Sequence, residues 1–324
     1  MTESRATKPI YHGTRRFLGL RDLVVSFYTK KCQFECSYCA LPLRSSNDPV
    51  SVDDLNSQID TIFSQYAAQL PEFQQFCFGN EGSALDSQRF HRESLSYVLD
   101  RAQAMTNLEV ISLETRPEYI RRERLEEVRS RTHARVVDMT VGFETQDDEI
   151  RIGLLRKKTF RRLMEERIRL LVELGIRFTS YVMIKPAPGM TEEAGVREAI
   201  ATIEYLADVC ARFGTSFVAY LTPTYIAEGS HLARTTKPGE WVPPTIQSVL
   251  RVAAAGWRMG VPTYSGLWSE GLAEDGYDFR GREGYDPAIR QALLKVNQTG
   301  DPSHLQPFRH IIDAADELSP AGSY

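Results

Sequence analysis

The fold of this protein is decided by one stretch of its sequence, KCQFECSYCALP at residues 31–42. Cys32, Cys36 and Cys39 crowd three thiols onto a short loop, with three residues between the first pair and two between the second. Cysteine thiolates are the usual protein ligands of iron–sulfur clusters, and a four-iron cluster takes four ligands. Because no fourth cysteine lies near this loop, the sequence predicts a [4Fe-4S] cluster with one iron open to a small molecule.

Two other readings of the cysteines are weaker. Structural zinc sites show two Cys pairs, or a Cys pair followed by spaced His ligands, whereas the six histidines here are scattered singly. Five cysteines in 324 residues without a recognisable secretory segment do not suggest a disulfide framework, because thiols stay reduced in a cytosol. Cys77, in the apolar run FCF, and Cys210, on a helical apolar stripe, are predicted to be small buried hydrophobes.

The composition limits the possible classes of protein without identifying one. With 42% hydrophobic residues the chain can bury a substantial core, and its net charge of −4 provides no global basic field that would attract a polyanion. No apolar run approaches the 18 or so residues of a membrane span. We therefore expect a soluble, cytoplasmic protein without a membrane partner, and the charge neither indicates nor excludes nucleic acid.

Short β-branched and aromatic runs alternate about six times with longer segments of helical period, which is typical of βαβ units and a parallel sheet. The predicted fold class is α/β, a partial (β/α)6-type barrel over residues 1–262, followed by a short C-terminal extension at 263–324. Its strands are predicted at residues 23–28, 73–79, 108–113, 136–142, 176–184, 216–221 and 261–267. Helices are predicted at 51–70, 86–105, 117–131, 191–214 and 243–260, with one more that Thr159 caps and Gly175 ends.

The C-terminal extension differs in composition from the rest of the chain. Residues 264–286 are dense in glycine, aromatic and acidic residues without a helical period, so a long ordered loop is predicted. Long loops in compact domains are usually functional or disordered, and this one is interpreted either as a lid over the substrate or as a packing tail. Tyr264, Trp268 and Tyr277 are its candidate substrate contacts. Residues 303–324 are predicted to form one terminal helix that starts near Pro307.

The cysteine motif, with an aromatic residue just before its third cysteine, resembles the signature of the radical S-adenosylmethionine (SAM) superfamily. Further strings up to about residue 244 resemble the branch that contains the archaeosine-synthase radical subunit and the Elongator catalytic subunit. These strings are ETRP at 114–117, VGFET at 141–145, KP at 185–186 and WVPP at 241–244. The resemblance implies a [4Fe-4S] cluster and SAM as cofactors, an external one-electron reductant such as flavodoxin or ferredoxin, and a 5′-deoxyadenosyl radical.

Polar strings follow the predicted strands, and the carboxyl ends of parallel strands share one rim of a barrel. Gly79-Asn80-Glu81 resembles the superfamily's glycine-glycine-glutamate turn, with Asn80 in place of the second glycine, and implies that this strand edge and Glu81 receive the methionine ammonium. A surface turn is the alternative for Glu81. Tyr38 occupies a position near the adenine in the superfamily, or it supports the loop by packing.

The next strand ends carry the remaining candidates. Glu114 can accept the ribose hydroxyls, and Arg116 can make a paired contact to a carboxylate or phosphate; a helix-capping salt bridge is the competing interpretation of this pair. Glu144 matches another superfamily position near SAM, and Arg156 is placed to reach the methionine carboxylate. Lys185 ends a hydrophobic strand and either holds a substrate anion or neutralises a rim carboxylate.

Three functions stay open at this point. The first is a radical SAM enzyme in a biosynthetic pathway that acts on a small nucleoside-, nucleotide- or sugar-type substrate. The second is an archaeosine-type enzyme that modifies a base in tRNA, for which only the arginine-rich stretches at 121–135 and 156–162 offer phosphate-binding faces. Charge runs on helices are usually solvated and ion-paired, so tRNA is not favoured as a partner. The third is a non-catalytic iron–sulfur protein.

Overall fold

The structure is a computed structural model, and it describes residues 5–237, 239–269, 271–273 and 277–313. The strands are β1 (Tyr11–Phe17), β2 (Leu20–Ser26), β3 (Gln75–Gly79), β4 (Val110–Thr115), β5 (Val136–Glu144), β6 (Arg177–Ile184), β7 (Phe217–Pro223) and β8 (Thr263–Ser265). The α-helices are α1 (Val52–Gln65), α2 (Arg92–Arg101), α3 (Arg122–Arg131), α4 (Arg161–Glu173), α5 (Glu192–Arg212), α6 (His231–Thr235), α7 (Ile246–Arg258), α8 (Pro287–Thr299) and α9 (Arg309–Asp313).

These strands form one sheet in the order β1 to β8. The hairpin β1–β2 is antiparallel, and every later neighbour pair is parallel, as successive βα units require. The sheet curls so far that side chains of its opposite edges meet, with the rings of Phe17 on β1 and Tyr264 on β8 stacked at 4.6 Å between centroids. The predicted α/β partial barrel is therefore confirmed.

Several predicted elements need correction. The strand β1 was not predicted, because YHGTRRF shows no apolar alternation, and a turn at Leu18 and Gly19, both with positive φ, joins it to β2. The predicted helix over 86–105 begins only at Arg92. Thr159 does not cap α4; its hydroxyl lies 3.3 Å from Nη2 of Arg116 and 3.2 Å from Oε1 of Glu118 instead.

The C-terminal part agrees with the prediction in one element and differs in two. The strand β8 lies within the strand predicted at 261–267 and pairs with β7. The helix α8, which Asp286 caps through the backbone N–H of Ala288, was not predicted. The predicted terminal helix is broken into 3-10 turns over Pro302–Phe308 and the short α9. Its remainder, residues 314–324, lies outside the described residues.

The core lies between the sheet and its surrounding helices, and both non-loop cysteines are buried in the protein, as predicted. Burial raises the pKa of the Cys210 thiol to about 12 and raises that of Cys77 as well, so both thiols stay protonated at neutral pH. The barrel interior is polar. Asp138 on β5 accepts hydrogen bonds there from Ser112 (2.7 Å), Thr179 (2.8 Å) and Arg177 (2.7 Å). Within the described residues, no helix has the length and apolar character needed to cross a membrane.

Candidate active site

A cavity opens at the carboxyl ends of the strands. One wall is the cysteine loop, from Cys32 to Pro42; a second is formed by residues at and after the ends of β3, β4 and β5; a third is formed at the ends of β6 and β7 and after β8. Polar residues from distant parts of the sequence meet here because all parallel strands end on this side of the barrel.

The cysteine loop is held in place by neighbouring backbone. The N–H of Ser37 donates to the carbonyl of Leu155 (2.9 Å), and its hydroxyl donates to the carbonyl of Leu154 (2.6 Å). From the other side, the N–H of Leu232 donates to the carbonyl of Ser37 (2.8 Å). A loop without regular secondary structure is therefore fixed at its centre by three hydrogen bonds.

The three loop cysteines all line the cavity, and none forms a disulfide. Cys32 lies against Gly82, where a Cβ atom would approach its Sγ to 3.7 Å. Nη1 of Arg116 lies 3.5 Å from Sγ of Cys36, and the guanidinium stacks on Phe34 at 3.6 Å from the ring centroid. Burial raises the pKa of the Cys32 thiol, and the positive charge of Arg116 opposes that rise.

Glu81 lies in the cavity wall directly after β3, with a left-handed backbone (φ 58°) that non-glycine residues rarely adopt. Its Oε1 accepts hydrogen bonds from Arg44 (2.8 Å) and Ser26 (3.1 Å), while the buried Oε2 has no partner. Burial raises the pKa of this carboxyl group. Gly79 and Asn80 do not line the cavity; Asn80 is buried, and its amide donates to Thr29 (3.2 Å).

The end of β4 contributes Glu114 and Arg116 to the cavity. The hydroxyl of Tyr181 donates to Oε1 of Glu114, whereas Oε2 faces Gly79, where a Cβ atom would approach it to 2.8 Å. Arg116 donates to Glu118 (2.9 Å) and to the carbonyl of Lys157 (2.6 Å). It thus binds a carboxylate of its own chain and ties the end of β4 to the segment after β5.

The end of β5 carries a triad of the buried Glu144 and Lys157 and the partly buried Tyr38. Lys157 Nζ lies 2.7 Å from Oε1 of Glu144, and the Tyr38 hydroxyl donates to the same oxygen at 2.9 Å. Lys157 also donates to the Tyr38 hydroxyl (3.2 Å). Burial and the charge of Glu144 raise the pKa of Tyr38 well above its usual range. Gly142 makes room for the triad, since a Cβ atom there would lie 2.6 Å from Lys157 Nζ.

Arg156 was the predicted residue at this point, but the structure places Lys157 there instead. Arg156 is exposed and does not line the cavity, whereas the adjacent Lys157 is buried in its wall. The available signal was the basic run Arg156-Lys157-Lys158. Arg156 and Lys158 both adopt left-handed backbone (φ 51° and 58°), and this turn directs the middle side chain inward.

Of the remaining candidate residues, some line the cavity and others do not. Lys185 is buried but lies outside the cavity lining, where its Nζ binds Glu192 at 2.8 Å. Trp268 lines the cavity. Tyr264 is buried against Phe17, and the exposed Tyr277 is not part of the lining. Of the predicted lid, residues 270 and 274–276 lie outside the described residues.

The fold has known counterparts. The structure matches the archaeal Elp3 of Methanocaldococcus infernus with a TM-score of 0.51 at 13% identity, over 77% of this chain and 59% of that one. It matches methylornithine synthase (PylB) with a TM-score of 0.51 at 12% identity, over 92% and 86%. The chain therefore shares the fold of these two proteins, in agreement with the predicted α/β partial barrel.

Sequence relatives agree with the predicted branch. The chain is 23% identical over 237 residues to archaeosine synthase subunit beta of Methanosarcina acetivorans, which is 72% of this chain and 66% of that protein. It is also 23% identical over 238 residues to an uncharacterised protein of Methanocaldococcus jannaschii, 72% of this chain and 63% of that protein. It thus spans less than two thirds of the length of these relatives. No family model matches the chain.

Proposed function

We propose that this chain is a radical SAM enzyme that holds a [4Fe-4S] cluster on Cys32, Cys36 and Cys39, binds SAM beside it and acts on a small-molecule substrate. One observation carries the proposal: three thiols of a single loop share one cavity with charged side chains from three strand ends. The radical SAM fold and the similarity to archaeosine synthase subunit beta support it.

The donor set suits a cluster better than a single metal ion. Among the described residues, no three His, Cys, Asp or Glu side chains converge closely enough to ligate one ion. A four-iron cluster spreads its iron atoms, so each thiolate binds a different iron and the sulfur atoms do not need to converge on one point. Gly82 leaves the space beside Cys32 free of a side chain.

The cavity also suits SAM. The unpartnered, buried Oε2 of Glu81 is an acceptor suited to the methionine ammonium, because a buried carboxylate without a partner is costly. Glu114 keeps the oxygen that Tyr181 does not engage for a ribose hydroxyl. Glu144 is neutralised by Lys157 and fixed by Tyr38, and these three form a rigid polar wall behind the cysteine loop.

When bound and reduced by one electron, the cluster and SAM supply a 5′-deoxyadenosyl radical that abstracts hydrogen, and the protein's own task is to bind, orient and exclude water. Arg116 keeps a positive charge beside Cys36 and ties two strand ends together. Lys157 donates hydrogen bonds to Glu144 and to the Tyr38 hydroxyl, which fixes both side chains beside the cysteine loop. We propose an external flavodoxin or ferredoxin as the electron donor.

A tRNA substrate is the second candidate, and the similarity to archaeosine synthase subunit beta favours it. The arginine-rich stretches count against it. Arg122 pairs with Glu173 at 2.6 Å, Arg131 with Asp100 at 3.3 Å and Arg162 with Glu166 at 3.0 Å, so much of their charge is cancelled within the protein. Phosphate binding needs cations that are available to release counterions. The small-molecule reading is therefore preferred.

The test is anaerobic reconstitution of the cluster, followed by SAM, a strong reductant and quantification of 5′-deoxyadenosine with and without bulk tRNA. We expect 5′-deoxyadenosine in both samples and no stimulation by tRNA. Clear stimulation by tRNA would favour the second candidate. An intact cluster that neither binds SAM nor releases 5′-deoxyadenosine would contradict the proposal and favour a non-catalytic iron–sulfur protein.

A further inference from the structure

The cavity has two halves of different chemistry. The cysteine half consists of the loop and the ends of β3 to β5, and it contains the charged groups described above. The aromatic half consists of the ends of β6 and β7 and the segment after β8. Its side chains include Tyr181, Met183, Tyr220, Thr222, Tyr225 and Trp268. None of the described residues that line the aromatic half carries a charge at neutral pH, and burial raises the pKa of Tyr181 further.

Two cations that adjoin the aromatic half are bound to carboxylates. Arg15 lies beneath it and donates to the Tyr220 hydroxyl (3.2 Å), but its Nε is bound to Asp22 at 2.7 Å. Beyond the outer edge, Arg280 is paired with Asp278. A ligand phosphate in this half would lose water without gaining a counter-charge from these groups, which is strongly unfavourable.

The aromatic half offers flat surfaces. The rings of Tyr181 and Tyr220 meet edge to face at 4.8 Å between centroids. The indole of Trp268 is 51% exposed although it lines the cavity, and it packs on Tyr11 at 4.8 Å. A large, partly exposed aromatic side chain at a cavity edge is available to stack on a planar ligand.

Two hydroxyl oxygens of this half are acceptors. The hydroxyl of Thr222 donates to the carbonyl of Val182 (3.1 Å), and that of Thr224 donates to the carbonyl of Ile184 (2.7 Å). Each hydroxyl has used its only proton, so its oxygen can now only accept. Space for a ligand depends on Gly266, where a Cβ atom would lie 2.7 Å from the Tyr220 ring.

A flat, uncharged ligand with N–H donors matches all three properties. We propose, resting on the radical SAM function above, that the aromatic half binds the substrate through an uncharged planar nitrogen heterocycle, as a nucleobase or an unphosphorylated nucleoside. The heterocycle stacks on Trp268 and donates hydrogen bonds to the threonine oxygens. The two halves then divide the work, since the cysteine half binds the cofactors and the aromatic half selects the substrate by shape and lack of charge.

The experiment is calorimetric titration of the reconstituted protein, saturated with SAM and kept without reductant. The ligands are adenosine, guanosine, cytidine and uridine, each beside its 5′-monophosphate. We expect at least one nucleoside to bind, and its monophosphate to bind about tenfold more weakly or worse because of the uncompensated charge. Trp268→Ala should weaken nucleoside binding about 5- to 150-fold, the range that follows from loss of one base–aromatic stack.

Phe160→Ala is the matched control, because Phe160 is 58% exposed at the start of α4 and does not line the cavity. This variant should bind the nucleoside as the parent does. The inference is overturned if the monophosphates bind as tightly as the nucleosides, if Trp268→Ala binds like the parent, or if no nucleoside binds to protein that binds SAM. Titrations repeated without SAM, together with direct SAM binding, show separately whether the radical SAM function fails.

Discussion

Two buried carboxylates in this protein differ in how fully they are hydrogen-bonded. Asp138, inside the barrel, accepts hydrogen bonds from Ser112, Thr179 and Arg177 on both of its oxygens. Glu81, at the rim, has one oxygen bound by Arg44 and Ser26, while its other oxygen is buried without a partner. Asp138 lies on one strand of the parallel sheet and Glu81 lies just after another. Of the two, only Glu81 has an oxygen without a partner that could receive a ligand.

This contrast distinguishes a carboxylate that stabilises the fold from one that has an oxygen available to a ligand. A buried carboxylate with saturated oxygens stabilises the sheet that surrounds it, and a ligand gains nothing from it. A buried carboxylate with an unsatisfied oxygen costs free energy until a ligand arrives. The backbone agrees, because Glu81 has a left-handed φ of 58°, a strain that clusters at functional sites.

The largest effect is expected at the cysteines, which differ in the same way between the rim and the interior. Cys36 lies at the rim and lines the cavity, whereas Cys77 is buried in the interior with its pKa raised by desolvation. We expect Cys36→Ala to abolish the cluster and all 5′-deoxyadenosine formation, because one of the three proposed protein ligands is lost. Iron content, the visible absorption of the cluster and product yield measure the effect.

Cys77→Ala is the matched control for that loss. It should keep the cluster and turnover and lower only the free energy of unfolding, by about 1 kcal/mol for a small cavity. If Cys77→Ala lost its cluster as Cys36→Ala does, the distinction between rim and interior thiols would be wrong.

Most of the residues at the cavity rim could be predicted from the sequence, because the signals that indicate them are local. The three cysteines lie in one short loop, so their spacing can be seen directly in the sequence. Each of the three rim glutamates lies at or just after the end of a strand-like run: Glu81, Glu114 and Glu144. The carboxyl ends of parallel strands share one side of the barrel. These residues therefore meet where the alternation of strands and helices predicts, and the cavity brings them together.

The parts that could not be predicted depend on backbone conformation and strand register, which the sequence pattern does not reveal. Lys157 replaces Arg156 in the cavity wall because two non-glycine residues take left-handed backbone, which no sequence pattern indicates. Tyr181 and Tyr220 enter the cavity through the register of β6 and β7, and a shift of one residue would turn both outward. The aromatic half could therefore not be assigned before the structure.

The second test addresses the interior carboxylate. Asp138→Ala leaves Arg177 and the hydroxyls of Ser112, Thr140 and Thr179 without this acceptor. We expect the free energy of unfolding to fall by about 3 kcal/mol, at the low end for a buried pair because Arg177 is 27% exposed. Chemical denaturation measures it. Asp138→Asn, which keeps one acceptor oxygen, should lose less, and both variants that fold should bind SAM with unchanged affinity. A selective loss of SAM affinity would make Asp138 part of the binding site.

The rim carboxylate should behave in the opposite way. Glu81→Gln removes the charge that we propose faces the methionine ammonium, so we expect SAM affinity to fall about 10- to 150-fold, the range for a hydrogen bond to a charged group. Calorimetry on the reconstituted variant measures it, with iron content as the control for an intact cluster. Unchanged SAM affinity would contradict the role proposed for Glu81.

The stability of the same variant has a predicted pH dependence. Burial raises the pKa of Glu81 above its ordinary value of 4.5, so the folded protein holds this proton more tightly than the unfolded chain. Stability without SAM should therefore decrease as the pH rises from about 4.5 through the raised pKa, and remain lower above it. Glu81→Gln cannot ionise and should lose that decrease. Urea denaturation at several pH values checks this, and an identical pH profile for parent and variant would argue against the raised pKa.

The smallest effect is expected within the triad at the end of β5. Tyr38→Phe removes the hydroxyl that donates to Glu144 at 2.9 Å but leaves the contact between Lys157 and Glu144 at 2.7 Å. Because the buried charges stay paired, we expect a loss of about 1 kcal/mol in the free energy of unfolding, with cluster content unchanged. Tyr97→Phe, which removes a hydroxyl bound to Asp60 nearer the surface, is the matched control and should lose less. A Tyr38 variant that lost its cluster would show that this hydroxyl is needed to hold the cysteine loop in place and that the hydrogen bonds of Ser37 do not suffice.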